Sequence, residues 1–402
     1  MQNTTEKIFP VLGTDVASGA NISLPLINDI TAGKITSGNV IITGNDDSGL
    51  TYRTKLMMLR YYKAGYRVLG VAPHFGQKLF GKFAEQCGGQ VLTLGKDCFI
   101  NIMGIVPVVK RGKSLESNIK LAKETLDDRV AVVSNFVELV CGNLDEAQLA
   151  LLESAILRTY SRFGIDMESY TLLNQNFFKM PILSDLVGDM RQHAILLDVA
   201  DRLNNFISKE GKCFNVQTSV QFVGQMNIID VSMIGEKYDL QRYNAPAGAV
   251  VLDYLAQVAK SDSESPTVVA YDDFMIHLGL LHISKARTML TNTLCKAAKQ
   301  GWIFIGNTSY IDDFIYFTDS LRGKYKYIVV LAHDFKEHGR LAETFGFQVG
   351  DWSKLAVDHF QTKWNPVAML FNGESEPGKY QIIRSKADDA EEQIVSAIDT
   401  AL

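Results

Sequence analysis

Apolar residues along this chain follow one rhythm, change to another, and then return to the first. In the first hundred residues short apolar runs alternate with stretches of helical period. Val40–Thr43 stops at Gly44, and Thr51–Lys63 then carries Leu56, Met58, Leu59 and Tyr62 at helical spacing up to Gly65. Arg67–Val71 is the next run, Lys78–Glu85 the next helix, and Gln90–Leu94 a third run after Gly88-Gly89. Strands alternating with helices of this length predict βαβ units and a parallel sheet. From Ser114 to Lys209 the pattern is helical, with stretches at Val130–Val140, Leu149–Thr159 and Ile195–Phe206, and Asn143-Leu-Asp-Glu146 reads as a capping box opening the second. After Cys213 the short runs return at Asn227–Val231, Thr267–Tyr271, Trp302–Ile305, Tyr327–Leu331, Ala368–Phe371 and Tyr380–Ile383. Helices are predicted between them at Ala247–Lys260, Leu278–Lys299 and Ser353–Thr362. The expected organisation is an α/β core made of residues 1–113 and 211–402, with an all-α domain at 114–210 inserted into it.

Composition sharpens this. The chain has 402 residues, 47% hydrophobic and 21% charged, with nine prolines, which is globular and excludes a disordered or collagenous polymer. At roughly 150 residues per domain the length suits two or three domains. Forty basic residues against 45 acidic ones give a net charge of −5, so bulk charge does not point to nucleic acid. Local basic runs remain at Lys110, Arg111 and Lys113 and at Arg322, Lys324 and Lys326; each reads as a solvated face, with a DNA or partner contact as the second reading. No apolar run reaches the ~18 residues a membrane span needs. Met1–Pro10 has no basic start leading into an apolar stretch, so no signal peptide is expected. Five scattered cysteines without a CxxC read as reduced thiols of a cytosolic protein.

The main chemical signal is Gly44-Asn-Asp-Asp-Ser-Gly49-Leu50-Thr51, which follows a strand and opens a helix with the GxxxxGK[ST] spacing of a phosphate-binding P-loop. In such a loop backbone N–H groups and the helix N-terminus cradle phosphates while the lysine neutralises them. Leu50 stands in the lysine's place. Asp46 and Asp47 add two carboxylates to a loop that would wrap a polyanion. At ~6 Å and an effective dielectric of ~20, each contributes on the order of 3 kcal/mol of repulsion per phosphate charge. Arg53 and Lys55 lie one turn further on, where the helix is expected to point them away from the phosphates. Gly44, Ser48, Gly49, Leu50 and Thr51 thus read as a vestigial phosphate loop; an ordinary glycine-containing β–α turn gives the same string. Gly112-Lys113-Ser114 contains GKS, but Pro107 occupies the first glycine's place, so it reads as a solvated turn.

A second signal is Thr267-Val-Val-Ala-Tyr-Asp272-Asp273. A hydrophobic strand ending in two acids is a Walker B pattern, with Asp272 placed to hold Mg²⁺ through water and Asp273 to orient the attacking water. Two N-caps at a strand end are the alternative. His333 and His338, like His277 and His282, are five residues apart and would fall on different helix faces, so no metal site is expected. Ser117-x-x-Lys120 lies in the helical region without a KTG companion. Tyr61-Tyr62 and Phe177-Phe178 read as packing residues.

The order of these segments resembles the C-terminal ATPase domain of the VirB/TraC-type ATPases of conjugation and type IV secretion, in the FtsK–HerA branch of RecA-like motors. The resemblance covers nearly the whole chain. Pro10-Val-Leu-Gly-Thr-Asp15, Leu24-Pro-Leu-Ile-Asn-Asp29 and Gly38-Asn-Val-Ile-Ile-Thr-Gly44 are similar to the family's approach to its Walker A motif. Gly65-Tyr-Arg-Val-Leu69 and Cys87-Gly-Gly-Gln-Val-Leu-Thr-Leu-Gly95 resemble its next two strands, and Asn101-Ile-Met103 its Asn-Pro-Phe turn. The helical insert, Gly211-Lys-Cys-Phe-Asn215 with Thr218, and Ile228-Ile-Asp230 continue the match. Lys299-Gln-Gly301 through Asn307-Thr308, then Asp312-Asp-Phe314, is similar to the stretch carrying the polar sensor, which makes Asn307 a site candidate where the family often has glutamine.

The departures share a direction. Besides Leu50, Ala72-Pro73 replaces the family's Asp-Pro, Gln77 lies near its glutamate, and Ala298 replaces an arginine finger candidate. The resemblance implies a RecA-like P-loop core with a mainly parallel sheet plus an inserted all-α domain. It implies a degenerate ATPase-like component of a conjugative or type IV secretion machine, serving as an assembly or docking scaffold at the inner face of the cell membrane. No cofactor is expected; ATP and Mg²⁺ belong to the alternative of an active hexameric motor. Partners would be other machine proteins, with homo-oligomerisation and a DNA contact as further options. The family's N-terminal assembly domain has no counterpart in this sequence. The insert is expected to pack over the sheet edge beside the nucleotide site, with Leu149, Leu152 and Ile156 in its core and Asn174, Gln175 and Lys179 in an exposed connection.

Overall fold

A computed structural model describes residues 10–45, 48–73, 76–106, 114–165, 179–232, 240–261, 265–274, 284–309, 324–333, 335–346, 367–373 and 379–398. Its strands are β1 (Val11–Asp15), β2 (Asn21–Ser23), β3 (Val40–Thr43), β4 (Arg67–Ala72), β5 (Gln90–Thr93), β6 (Met226–Asp230), β7 (Thr267–Tyr271), β8 (Trp302–Thr308), β9 (Tyr327–Val330), β10 (Val367–Asn372) and β11 (Tyr380–Arg384). The helices are α1 (Ile27–Thr31), α2 (Leu50–Lys63), α3 (Gly76–Gln86), α4 (Leu115–Cys141), α5 (Glu146–Arg162), α6 (Leu183–Met190), α7 (Leu197–Ser208), α8 (Leu240–Ser261), α9 (Ser284–Gln300), α10 (His338–Phe345) and α11 (Asp389–Val395).

All eleven strands join one sheet in the order β2-β1-β11-β10-β9-β3-β8-β7-β4-β6-β5. From β9 to β5 every pairing is parallel, and from β9 outward to β2 every pairing is antiparallel. The strands β3, β6, β7 and β8 are buried at every position. Such continuous apolar runs are what a parallel sheet covered on both faces demands. Alternate residues serve the two faces. Val40 and Ile42 join Leu56, Met58, Phe80 and Phe83 under α2 and α3, whereas Ile41 joins the cluster containing Val250, Leu255, Leu290 and Leu294 from α8 and α9.

Among the described residues between 115 and 208 every regular element is helical. Leu152 and Ile156 are fully buried and Leu149 partly, while Lys179 is exposed; Asn174 and Gln175 lie outside the described residues. The capping box stands two residues later than the sequence suggested: Asp145 accepts from the Gln148 N–H and the Gln148 side chain accepts from the Asp145 N–H. An aspartate two residues nearer the apolar period competes better for the cap than Asn143. The helical segment departs from and rejoins the chain alongside β5, where Ile100 N–H donates to Cys213 O and Ser219 N–H to Phe99 O. Because β5 is the fifth strand from β3, this attachment is at the opposite end of the parallel array from the Gly44 loop. The segment does not sit beside that loop. It rests through α4 on α8 and α9, and shares one continuous hydrophobic cluster with the sheet face they cover.

Polar ties fix that seam. Arg129 of α4 donates to both carboxylate oxygens of Asp253 on α8, at 2.8 and 2.6 Å, and to Ile102 O at 3.0 Å. Gln257 donates to the same Asp253 carboxylate and accepts from Val106 N–H, and Lys296 of α9 pairs with Asp128 at 2.7 Å. β1, β2, α6, α10 and α11 lacked a clear period in the sequence, being three to eight residues long. The helix expected at Ser353–Thr362 falls outside the described residues.

Removing one partner of a buried ion pair leaves the other charge stranded, at a cost of about 3–5 kcal/mol. Arg129→Met is therefore expected to lower the urea midpoint strongly, and Arg129→Met with Asp253→Leu to recover most of the loss. A double variant as unstable as the sum of two singles would show that the pair does not couple α4 to α8.

Candidate functional site

The candidate residues gather at the carboxyl ends of β3, β7 and β8. β3 ends at Thr43, and the chain turns through Gly44 into α2. A Cβ at Gly44 would stand 2.2 Å from Ser48 Oγ and 2.8 Å from Leu331 Cβ, so only glycine fits. Gly49 takes φ +87° as the residue preceding α2, a left-handed conformation that costs glycine nothing. Asp46 and Asp47 lie outside the described residues.

Asn45 and Ser48 tie the described part of the loop to itself and to the segment after β9. Ser48 N–H donates to Asn45 O at 2.9 Å, Ser48 Oγ donates to the same carbonyl at 2.6 Å, and Asn45 N–H donates to Ala332 O. In a phosphate-holding loop such donors face the anion. Leu50 is 7% exposed and packs in the cluster that contains Ile42, Leu56 and Leu331. The residue at the lysine's place is therefore part of the core beneath the loop.

The other half of the site is intact and tightly tied. Thr51 Oγ1 donates to Asp272 Oδ1 at 3.0 Å, with the second oxygen at 3.3 Å. Asn307 Nδ2 lies 2.6 Å from Asp272 Oδ1 and 2.6 Å from Thr54 Oγ1, and Asn307 Oδ1 accepts from Asp273 N–H at 2.7 Å. Asp272 is 6% exposed, so these donors carry the solvation of a buried carboxylate. Asp273 has φ +45°, a left-handed conformation that costs a non-glycine residue about 1–3 kcal/mol unless its surroundings impose it. The Asn307 bond does so here.

Lys55, one turn beyond Thr51, is buried with 3% exposure. Its Nζ lies 5.2 Å from the Phe80 ring centre and 5.7 Å from that of Phe83, and 3.5 Å from Ala397 O. Burial pulls the ammonium down to about 8, opposed by the nearby charge of Asp272. Arg53 is also buried, and desolvation lowers it to about 10.

Of the sequence candidates, Gly44, Ser48, Gly49 and Leu50 form the loop, and Thr51, Asp272, Asp273 and Asn307 form the tie. Thr54 and His333 were missed. Thr54 follows Thr51 at the i,i+3 spacing that puts both on one helix face. His333 Nε2 stands 3.3 Å from Thr43 Oγ1 at the foot of the loop. It is in an extended segment after β9, and His338 Nε2–H donates to its carbonyl at 2.9 Å, so the two do not lie on opposite faces of one helix. His277 and His282 lie outside the described residues, as do Lys110, Arg111, Lys113, Arg322, Phe177 and Phe178. Among the described residues no cluster of His, Cys, Asp and Glu has metal-binding geometry, and no helix is long and apolar enough to cross a membrane.

No family model and no curated protein sequence matches the chain. Solved structures do. VirB4 of Thermoanaerobacter pseudethanolicus superposes with a TM-score of 0.74 at 18% identity, over 95% of this chain and 97% of that one. The fold is that of VirB4. The conjugative coupling protein TrwB, without its first 70 residues, follows at a TM-score of 0.53 and 10% identity, covering 96% of this chain and 90% of its own. TrwB in complex with ADP and Mg²⁺ matches at 0.50 and 12%, over 87% of this chain and 85% of that one. The VirB4 fold accounts for the RecA-like P-loop architecture expected from the order of motifs, with β3, the loop, α2 and β7 in the places those motifs require.

Tested against Mg²⁺ and a nucleoside triphosphate, the donor set is divided. Thr51 and Asp272 are hard oxygen groups suited to Mg²⁺. On the phosphate side Leu50 supplies no charge and the Ser48 N–H and hydroxyl are bonded to Asn45 O.

Two predictions follow from position 50 and from Lys55. Leu50→Lys is expected to lower stability by about 2 kcal/mol or more, since it withdraws a buried leucine and inserts an ammonium. It is expected not to create ATP turnover, compared beside the Asp46→Gly, Asp47→Gly, Leu50→Lys triple variant. Full turnover in the single variant would show the loop to be otherwise competent. For Lys55 the folded value of about 8 lies below the ordinary 10.5, so the unfolded chain binds more protons between them. This lysine's contribution therefore makes the fold more stable as pH rises from about 8 toward 10.5, by about 3 kcal/mol in all. Chemical denaturation across that range is expected to show a steeper rise in wild type than in Lys55→Met.

Proposed function

We propose that this chain is a degenerate, ATPase-like component of a conjugative or type IV secretion machine, acting as an assembly or docking scaffold rather than as a motor. The observation that carries the reading is the burial of Leu50, at the lysine's place, in the core beneath a loop in which Ser48 directs its N–H and hydroxyl onto Asn45 O. A nucleoside triphosphate has three to four negative charges to neutralise, and leucine supplies none of that. Ala298 leaves no arginine at the place from which a neighbouring copy would reach the γ-phosphate. The surface left for function is then the helical unit of residues 114–210 and its seam with α8 and α9. On this reading the partners are other proteins of the machine at the inner face of the cell membrane, with self-association and a DNA contact as secondary possibilities. The likeness to VirB4 and to a conjugative coupling protein supports the choice of machine.

A second reading has one observation in its favour. Thr51 and Asp272 still meet at 3.0 Å at the start of α2, as a Mg²⁺-dependent site requires, and TrwB has been solved with ADP and Mg²⁺. Under it the chain is an active hexameric ATPase with atypical residues, in which Asp272 holds Mg²⁺, Asp273 positions water and Asn307 senses the γ-phosphate.

Phosphate release with Mg-ATP, together with calorimetry of ATP and ADP in the presence of Mg²⁺, separates the two. No turnover above background is expected. Turnover at the rate of motor ATPases, abolished by Asp272→Ala, would overturn the scaffold reading.

A further inference from the structure

We infer that the tip of the helical unit, where Ile195 and Leu197 stand beside Arg158, is a docking surface for an acidic segment of a partner protein, one that carries a carboxylate flanked by aliphatic side chains. The inference rests on the scaffold reading and names the kind of partner the helical unit takes.

The apolar half is set by a turn of the chain. Between α6 and α7 a 3₁₀ turn, Ala194–Leu196, is pinned by Leu196, which is fully buried and whose N–H donates to His193 O at 2.9 Å. With Leu196 turned into the core, its neighbours Ile195 and Leu197 are left 54% and 45% exposed. Of the exposed large aliphatic side chains among the described residues, only these two are near neighbours in the chain. A single aliphatic side chain on a surface needs no explanation, but a pair held out on a pinned turn is a contact whose ordering cost is already met.

The charged half is Arg158 of α5. Other arginines of the unit hold carboxylates: Arg162 that of Asp189 at 2.8 Å, Arg191 that of Asp201 at 2.9 Å and Arg202 that of Asp198 at 2.8 Å. Arg158 holds none among the described residues. Its Nη1 donates to Gln192 Oε1 at 3.0 Å and its Nη2 to His193 Nε2 at 2.6 Å. A guanidinium can only donate, so Nε2 accepts and the His193 proton is on Nδ1. Both partners are thus neutral; they hold the guanidinium in place and leave its charge uncompensated. The side chain is half-buried, so water offsets that charge only in part. Gln192 and His193 directly precede the 3₁₀ turn, which sets the held guanidinium next to the exposed pair. Arginine is among the residues that anchor interfaces, and a carboxylate matches its planar fork with two parallel bonds. An anionic membrane is the poorer occupant, because Asp198 and Asp201 are exposed on the first turns of α7 and would face its phosphates.

The test uses the full chain and a fluorescein-labelled, end-blocked peptide in which glutamate and leucine alternate, followed by anisotropy beside its glutamine counterpart. The glutamate peptide is expected to bind saturably and the glutamine peptide at least about tenfold more weakly. Arg158→Gln is expected to abolish that difference, Arg158→Lys to keep part of it, and Ile195→Ser with Leu197→Ser to weaken both peptides. Lys209→Gln, which removes an exposed cation elsewhere on the unit, is expected to change nothing. Absence of saturable glutamate-peptide binding overturns the inference, and so does binding that Arg158→Gln leaves intact or that Lys209→Gln weakens as much. If Arg158→Gln does not fold, methyl NMR of wild type decides: the glutamate peptide is expected to shift the Ile195 and Leu197 resonances, and unmoved resonances overturn the docking role. Binding to phosphatidylglycerol vesicles through Ile195 and Leu197, with none to the peptide, overturns it in favour of a membrane contact. ATP turnover is read separately. Turnover by wild type with peptide binding intact defeats the scaffold reading alone, and no turnover with no peptide binding defeats this inference alone.

Discussion

The carboxylate of Asp272 is a charge that the fold has placed where water cannot reach it, and the arrangement of the sheet's upper rim follows from that. β7 runs through the middle of the parallel array between β8 and β4, and Asp272, which follows it, is 6% exposed. Among the described residues, Thr51 from α2 and Asn307 from β8 bring donors to this end. Asn307 is the hinge of the group. Its amide donates to Asp272 and Thr54, and its carbonyl holds Asp273 in a left-handed conformation. Changing any one of these residues disturbs the solvation of the others, because all of them share the same carboxylate.

The phosphate side of the same rim has gone the other way. A loop that binds phosphate keeps its N–H groups unsatisfied by protein so that the ligand completes them. Here Ser48 turns both its N–H and its hydroxyl onto Asn45 O, and Leu50 adds apolar contact to the packing below. The Asp272 end of the rim meets a folding constraint of its own, the burial of a carboxylate, whereas at the loop it is the apolar side chain of Leu50 that enters the core.

Much of this was legible in the sequence, and the reasons are local. β3 and β7 were found to the residue because their all-buried apolar runs are cut off by Gly44 and by Asp272. The meeting of Thr51 with Asp272 was legible from two motifs whose places in a parallel sheet are fixed relative to each other. The burial of Lys55 was not legible, because the sequence does not show that α3 and Ala397 cover that face of α2. The location of the helical unit was likewise hidden. It depends on β5 taking the edge of the sheet, and strand order is a property of crossovers that no local period encodes. β1 and β2 were invisible for a related reason: short strands at an antiparallel edge carry too few buried positions to give a period.

The Gly44 loop and the helical unit are connected only through the layers between them. The Gly44 loop follows β3 and the helical unit attaches beside β5, five strands away in the sheet, and among the described hydrogen bonds of Asp272 the partners come from α2 and β8. The common element is the sheet itself, with α8 and α9 lying on one face beneath α4, and α2 and α3 on the other. A motor would need that connection to be compliant, so that events at the loop move the helical unit. The seam here is instead closed by the Arg129–Asp253 pair, the Lys296–Asp128 pair and a continuous apolar cluster. Close-packed interiors of this kind have discrete arrangements and do not deform smoothly. The seam thereby holds α4 on α8 and α9 through both charge and apolar packing.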